Sequence, residues 1–126
     1  MALEAAVGVV LICLSIIHVV YGERRQVAVL KSVSDNPVLI GSFRTMSLQG
    51  GLLLLALGVV YMLGSAGMVA LRGVPSYFLL GVVLINVLSL LIVALTKHRE
   101  LLKETVPQLV IFGAVIVLQV LIAVRG

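Results

Sequence analysis

The residues of this chain that could do chemistry are few, and their spacing removes most of the chemistry they could do. Cys13 is the single cysteine, so the sequence holds no disulfide framework, no CxxC pair and no cysteine zinc site. His18 and His98 are the two histidines. Two imidazoles do not complete a metal site, and a haem held by both would need the helices to bring them together, with no acid or aromatic cage to orient either ring. No glycine loop precedes a lysine at phosphate-cradling spacing, and no carboxylate pair lies inside an apolar run. The expectation is a protein that is not an enzyme and carries no metal or cofactor.

What remains is a small set of polar residues in or beside long apolar stretches. His18 and Asn86 stand out, because a polar side chain in hydrocarbon is costly unless it is paired or wet. A purely structural role would be an interhelical hydrogen bond, worth about 0.6 kcal/mol on average. The functional alternative is a proton-sensitive or solute-lining position, since His18 can change charge near neutral pH. A cluster of charge stands beside His18: Glu23 and Arg25, with Arg44 brought opposite by a turn, form a candidate contact for a lipid headgroup or a partner.

Membrane helices must position these residues. Hydrophobic residues make up 62% of the 126, charged residues 11%, and mean hydropathy is +1.29, whereas soluble domains are about half apolar and about a quarter charged. Lipid is the solvent that fits. Four runs, 5–21, 48–71, 75–96 and 106–124, come close to or exceed the roughly 20 helical residues that a hydrocarbon core requires. The first is not read as a cleaved signal, since its basic residues Arg24 and Arg25 follow the apolar run instead of preceding it. The pattern predicts an all-α, single-domain transmembrane four-helix bundle of two antiparallel hairpins.

Charge sets the expected orientation. Arg24, Arg25, Lys31 and Arg44 lie between the first two runs and Lys97, Arg99 and Lys103 between the last two, leaving Arg72 and Arg125 for the other side. This bias places both termini outside and the first and third loops in the cytoplasm. It also accounts for the net charge of +4 and the pI near 9.7, with anionic lipid and not nucleic acid as the partner of the basic residues.

Local signals place the turns. The first helix should continue beyond the membrane through Gln26, Val27 and Leu30 until Ser34, Asp35, Asn36 and Pro37 stop it, with Asp35 or Asn36 as N-cap and Pro37 in the next first turn. The second helix would likewise begin in the cytoplasm. A short turn from Leu71 to Pro75 should make the second and third spans neighbours, and Thr105 is a candidate N-cap for the fourth, with Pro107 in its first turn.

The most informative pattern joins the first two spans. Glu4, Gly8, Leu11, Ser15, His18, Gly22 and Arg25 fall at alternating steps of four and three, a single stripe on a helix. Arg44, Ser47, Gly51, Leu54, Gly58, Tyr61 and Ser65 repeat that spacing. Pairs taken outward from the turn share one constant sum: 25 with 44, 18 with 51, 8 with 61. The stripes are expected to form a packing seam in which Leu11 faces Gly58, Tyr61 faces Gly8 and His18 faces Gly51, small against large.

Two further likenesses bear on ancestry. Gly8–Ser15 resembles Gly81–Ser89 in sequence, a short match that a duplicated two-helix unit would leave. His18, Gly22, Glu23 and Arg24 form H-x-x-x-G-E-R, which resembles a pattern in small, functionally uncharacterised four-span prokaryotic membrane proteins and implies four spans with no assigned activity. In size and span count the chain is also similar to small multidrug resistance transporters, but the carboxylate which that family uses inside the first span has no counterpart beyond Glu4 at its start.

The expected role is therefore a structural or accessory subunit, acting by self-association as a homo-oligomer or within a larger membrane complex. The alternative is a small oligomeric transporter or channel for an ion or small solute. The orientation has a direct test: in a Cys13→Ser background, cysteines at Ser32 and Thr105 should be shielded from impermeant thiol reagents in intact cells and one at Ser76 should react. Labelling of Ser32 from outside would reverse the topology.

Overall fold

The computed structural model describes residues 1–125, and among them every regular element is helical. Helix α1 spans Ala2–Tyr21 and passes through a π-helical turn, Gly22–Val27, into α2, Ala28–Val33. Helix α3 covers Pro37–Ser65, α4 covers Val74–Thr96 and α5 covers Glu100–Arg125. Four continuous helical stretches, Ala2–Val33, Pro37–Ser65, Val74–Thr96 and Glu100–Arg125, are long and apolar enough to cross a membrane. They form a bundle with one apolar core drawn from all four.

The turn after α2 is built as its residues dictate. The Asn36 side-chain carbonyl accepts from the backbone N–H of Val38 at 3.0 Å and of Leu39 at 3.3 Å, and Pro37 occupies the first turn, where its missing N–H costs nothing. Asn36, not Asp35, is thus the cap.

Two other boundaries differ from expectation. Helix α3 ends at Ser65, six residues before the predicted limit, because Gly67 and Gly73 adopt positive φ (74° and 62°) and turn the chain there. The intervening Leu71 folds back into the core and packs on Gly64, held by a 2.5 Å hydrogen bond from the Ser76 hydroxyl to the Leu71 carbonyl. Ser76 is consequently buried. The exposed Val74 is the better site for an outside-labelling cysteine. At the other boundary, Thr105 is no N-cap: α5 begins at Glu100, and the Thr105 hydroxyl bonds back to the Leu101 carbonyl at 2.6 Å, inside the helix, with Pro107 following.

Close packing joins α1 to α3 most extensively, α4 to α5 next, and α1 to α5. The expectation that the second and third spans pack as neighbours fails: α3 and α4 make almost no close contact despite the short link between them.

Gly8 and Gly58 hold the α1–α3 contact together. A β-carbon on Gly8 would lie 2.9 Å from the Gly58 carbonyl oxygen, and one on Gly58 would lie 2.9 Å from the Gly8 carbonyl and 2.7 Å from Ile12 Cγ1. Further along, Gly51 meets Val19 and the Ser15 carbonyl, and Gly22 meets Ser47. The contacts step down α3 as they step up α1. In detail the pairing shifts within a turn of the expected one. The nearest neighbours of Gly58 are Gly8 and Ile12, where Leu11 was expected, Gly8 faces Met62 as well as Gly58, and His18 lies closest to Gly50 while also reaching Gly51, at 3.8 Å from a β-carbon there. Leu11 and Tyr61 are both fully buried, and Gly8, Gly51 and Gly58 are buried with them.

Gly81 and Gly8, equivalent in the sequence match between Gly8–Ser15 and Gly81–Ser89, sit in opposite environments. Gly8 touches backbone, whereas a β-carbon on Gly81 would meet nothing within 4 Å.

Because carbonyl oxygens cannot move aside as side chains can, a bulky residue at Gly58 must part the helices. Overpacking a filled site typically costs about 1 to 3 kcal/mol, so Gly58→Leu should lower the Tm in detergent. Gly113→Leu, at a position with open space around it, should leave the Tm unchanged. Adding Ile12→Ala to Gly58→Leu should restore only part of the loss, since the Gly8 carbonyl remains. No loss from Gly58→Leu would show that the helices are not in contact there, and full recovery with Ile12→Ala would show that Ile12, not the Gly8 carbonyl, limits the approach.

Candidate functional site

A cleft of about 90 Å³ lies toward the end of the bundle that carries the Ser34–Asn36 and Lys97–Arg99 connections. Its lining draws on all four long helices: His18 from α1, Gly50 and Leu54 from α3, Asn86, Val87 and Leu90 from α4, and Gln108, Leu109 and Phe112 from α5. His18 and Asn86, the two polar residues singled out from sequence, therefore line one space, and Gln108 lines it with them.

Each polar group is held by a definite local cause. The His18 ring lies against Gly50, where a β-carbon would come within 2.8 Å of Nε2, so glycine makes the room the imidazole occupies. Asn86 donates from Nδ2 to the Val82 carbonyl one turn earlier at 3.3 Å, which leaves the second amide hydrogen and Oδ1 uncommitted. Gln108 is exposed, one residue after Pro107. The remaining walls are aliphatic, with Phe112 at one side. Such a space has room for about three waters, or for a small organic molecule in their place.

The charged candidates sit apart from this cleft. Glu23, in the π-helical turn, forms a two-point ion pair with Arg44 of α3: Arg44 Nε donates to Oε2 at 3.0 Å and Nη2 donates to Oε1. Arg44 is thus paired with Glu23, where the stripe alone had set it against Arg25. The guanidinium holds the Glu23 carboxyl below the usual carboxylate range, and the carboxylate raises Arg44 in return. Since the folded-state value is depressed, any stabilisation is present at neutral pH and is lost as pH falls through that value. Both partners are exposed, so its contribution is small. Arg25 is exposed at the same end.

One polar contact was absent from the sequence reading. Gln119 on α5 donates from Nε2 to the Tyr61 hydroxyl at 3.0 Å, and both side chains are completely buried. Tyr61 belongs to the stripe that pairs α3 with α1, which says nothing of α5. The available signal was Gln119 itself, an amide deep in an apolar run that must find a partner. Its Oε1 has none in the protein. At the same end Glu4 is partly buried and lies 2.5 Å from the Met1 amino group.

No group of three metal-ligating residues occurs among the described residues. Comparison with protein-family models, with curated proteins and with solved structures finds no match to this chain. His18 is the one titratable residue among those that line the cleft.

Proposed function

We propose that this chain is a small polytopic membrane protein that acts as a structural or accessory subunit, associating within the bilayer with further copies of itself or with a larger membrane complex. The observation that supports this most is the sparse close approach of α3 and α4. Helix α4 is also the least covered, with 17% of its most apolar stretch buried against 28% in each of the others. Helices in lipid associate by close packing, not by a hydrophobic drive, so a face left sparsely packed in the single chain is where another helix can be received. The orientation taken with this reading has both termini outside and the basic connections in the cytoplasm beside anionic lipid.

A second reading, a small oligomeric transporter or channel for an ion or small solute, draws on a different observation. The cleft collects His18, Asn86 and Gln108 from three helices at membrane depth, and an oligomer would extend that polar lining.

Cross-linking in native membranes separates subunit from isolated bundle. With Cys13 replaced by serine, a cysteine at Leu88 on the exposed face of α4 should give a covalent dimer or heteromer on oxidation, whereas one at Ile16 on α1, equally exposed, should give little. Equal yields at the two positions, together with a monomeric mass and no companion chain in mild detergent, would contradict the proposal.

A further inference from the structure

We propose that the cleft of His18, Asn86 and Gln108 is a binding site for a short-chain monocarboxylate, taken up together with one proton that resides on the His18 imidazole.

The charge of the lining selects the ligand. Apart from His18, no residue that α1, α3, α4 or α5 contributes to the cleft is titratable. The nearest charges along those helices are Glu23 and Arg44, which neutralise each other, the exposed Arg24 and Arg25, Lys97 and Arg99 between α4 and α5, and Glu100, Lys103 and Glu104, all exposed, in the two turns before Gln108. A cation in the cleft would find no carboxylate among the residues that line it. A protonated His18 alone would stand among Leu54, Val87, Leu90, Leu109 and Phe112 with no acidic side chain in the lining to pair with it. An anion that arrives with the proton removes both objections, because imidazolium and carboxylate together carry no net charge.

The hydrogen-bond inventory fits the same ligand. The imidazolium N–H can donate to one carboxylate oxygen and the Gln108 amide to the other, while Asn86 retains a free hydrogen beyond the one given to Val82. The aliphatic walls and Phe112 suit a short apolar tail. With Arg44 and Glu23 paired, Arg24, Arg25, Lys31, Lys97, Arg99 and Lys103 still outnumber Asp35, Glu100 and Glu104 at this end of the bundle, and the positive balance raises the local concentration of anions. Nothing is made or broken except the N–H bond of the imidazole, and the pair that enters is equivalent to one undissociated acid.

Linkage gives the test. A carboxylate that binds only beside protonated His18 must raise the pH at which that ring titrates. With histidine-labelled protein in nanodiscs of neutral lipid, NMR of the ring resonances, assigned with His98→Ala, should show the His18 midpoint rising by about one pH unit in saturating butyrate, a tenfold gain in proton affinity. His98, in the exposed connection between α4 and α5, should not move. Asn86→Leu and Gln108→Leu, if they elute as the parent does, should each reduce the shift. Chloride at the same concentration should have little effect in the unsubstituted protein, an arm that stands even if the variants fail to fold. A midpoint indifferent to butyrate, an equal shift at His98, or an equal effect of chloride would overturn the assignment. Because these readings are made on the protein in isolation, they succeed or fail independently of any association with partners.

Discussion

Two glycines facing each other across α1 and α3 set the terms for the rest of the molecule. At Gly8 and Gly58 the carbonyl of each residue stands where the other's side chain would be, the close approach on which helix association in lipid relies. Carbonyl oxygens set this way over glycine α-carbons also allow weak Cα–H···O contacts, which recur where membrane helices cross tightly. Once α1 and α3 are locked, their shared surface presents Val7, Leu11, Leu14, Leu54, Leu57 and Tyr61 as one core, onto which α5 closes with Phe112, Val115 and Ile122. Helix α4 is left with α5 as its main neighbour and approaches α3 only sparsely.

The polar residues then divide by depth. At the end near the Ala66–Gly73 turn, Gln119 and Tyr61 satisfy each other in full burial, and the Ser76 hydroxyl ties down the refolded Leu71 carbonyl. These contacts hold the structure and leave little space. Toward the basic end, His18, Asn86 and Gln108 surround the cleft and do not bond to one another. In hydrocarbon such groups are expensive unless paired or solvated. Beyond it, the wide π-helical turn carries Glu23 to Arg44, so that α1 and α3 remain joined outside the apolar region.

Much of this was legible in the sequence, for reasons that differ between elements. The helical class and the four spans follow from composition, and the Asn36–Pro37 start of α3 from local capping chemistry. The seam was readable because small residues recur on a strict period in both helices, yet its fine register was not. A stripe fixes which faces meet, while the fit of Ile12 or Leu11 against Gly58 depends on side-chain shape and crossing geometry. The bounds of α3 and α5 were missed because hydropathy continues through Leu71 while the backbone turns at Gly67, and because helix α5 runs on through Thr105 and Pro107. Convergence of His18, Asn86 and Gln108 required knowing how the four helices pack, a tertiary fact with no local signal.

The account depends above all on the register of α1 against α3, and a disulfide measures it directly. A β-carbon on Gly22 would lie 3.3 Å from that of Ser47, close to the roughly 3.5–4.5 Å that a disulfide spans. In a Cys13→Ser background, the pair Gly22→Cys and Ser47→Cys should oxidise rapidly within one chain, while Gly22→Cys with Leu48→Cys, one residue further round α3 and exposed, should not. Equal or preferred closure of the second pair, or failure of the first, would place the helices in another register and contradict the structure described here.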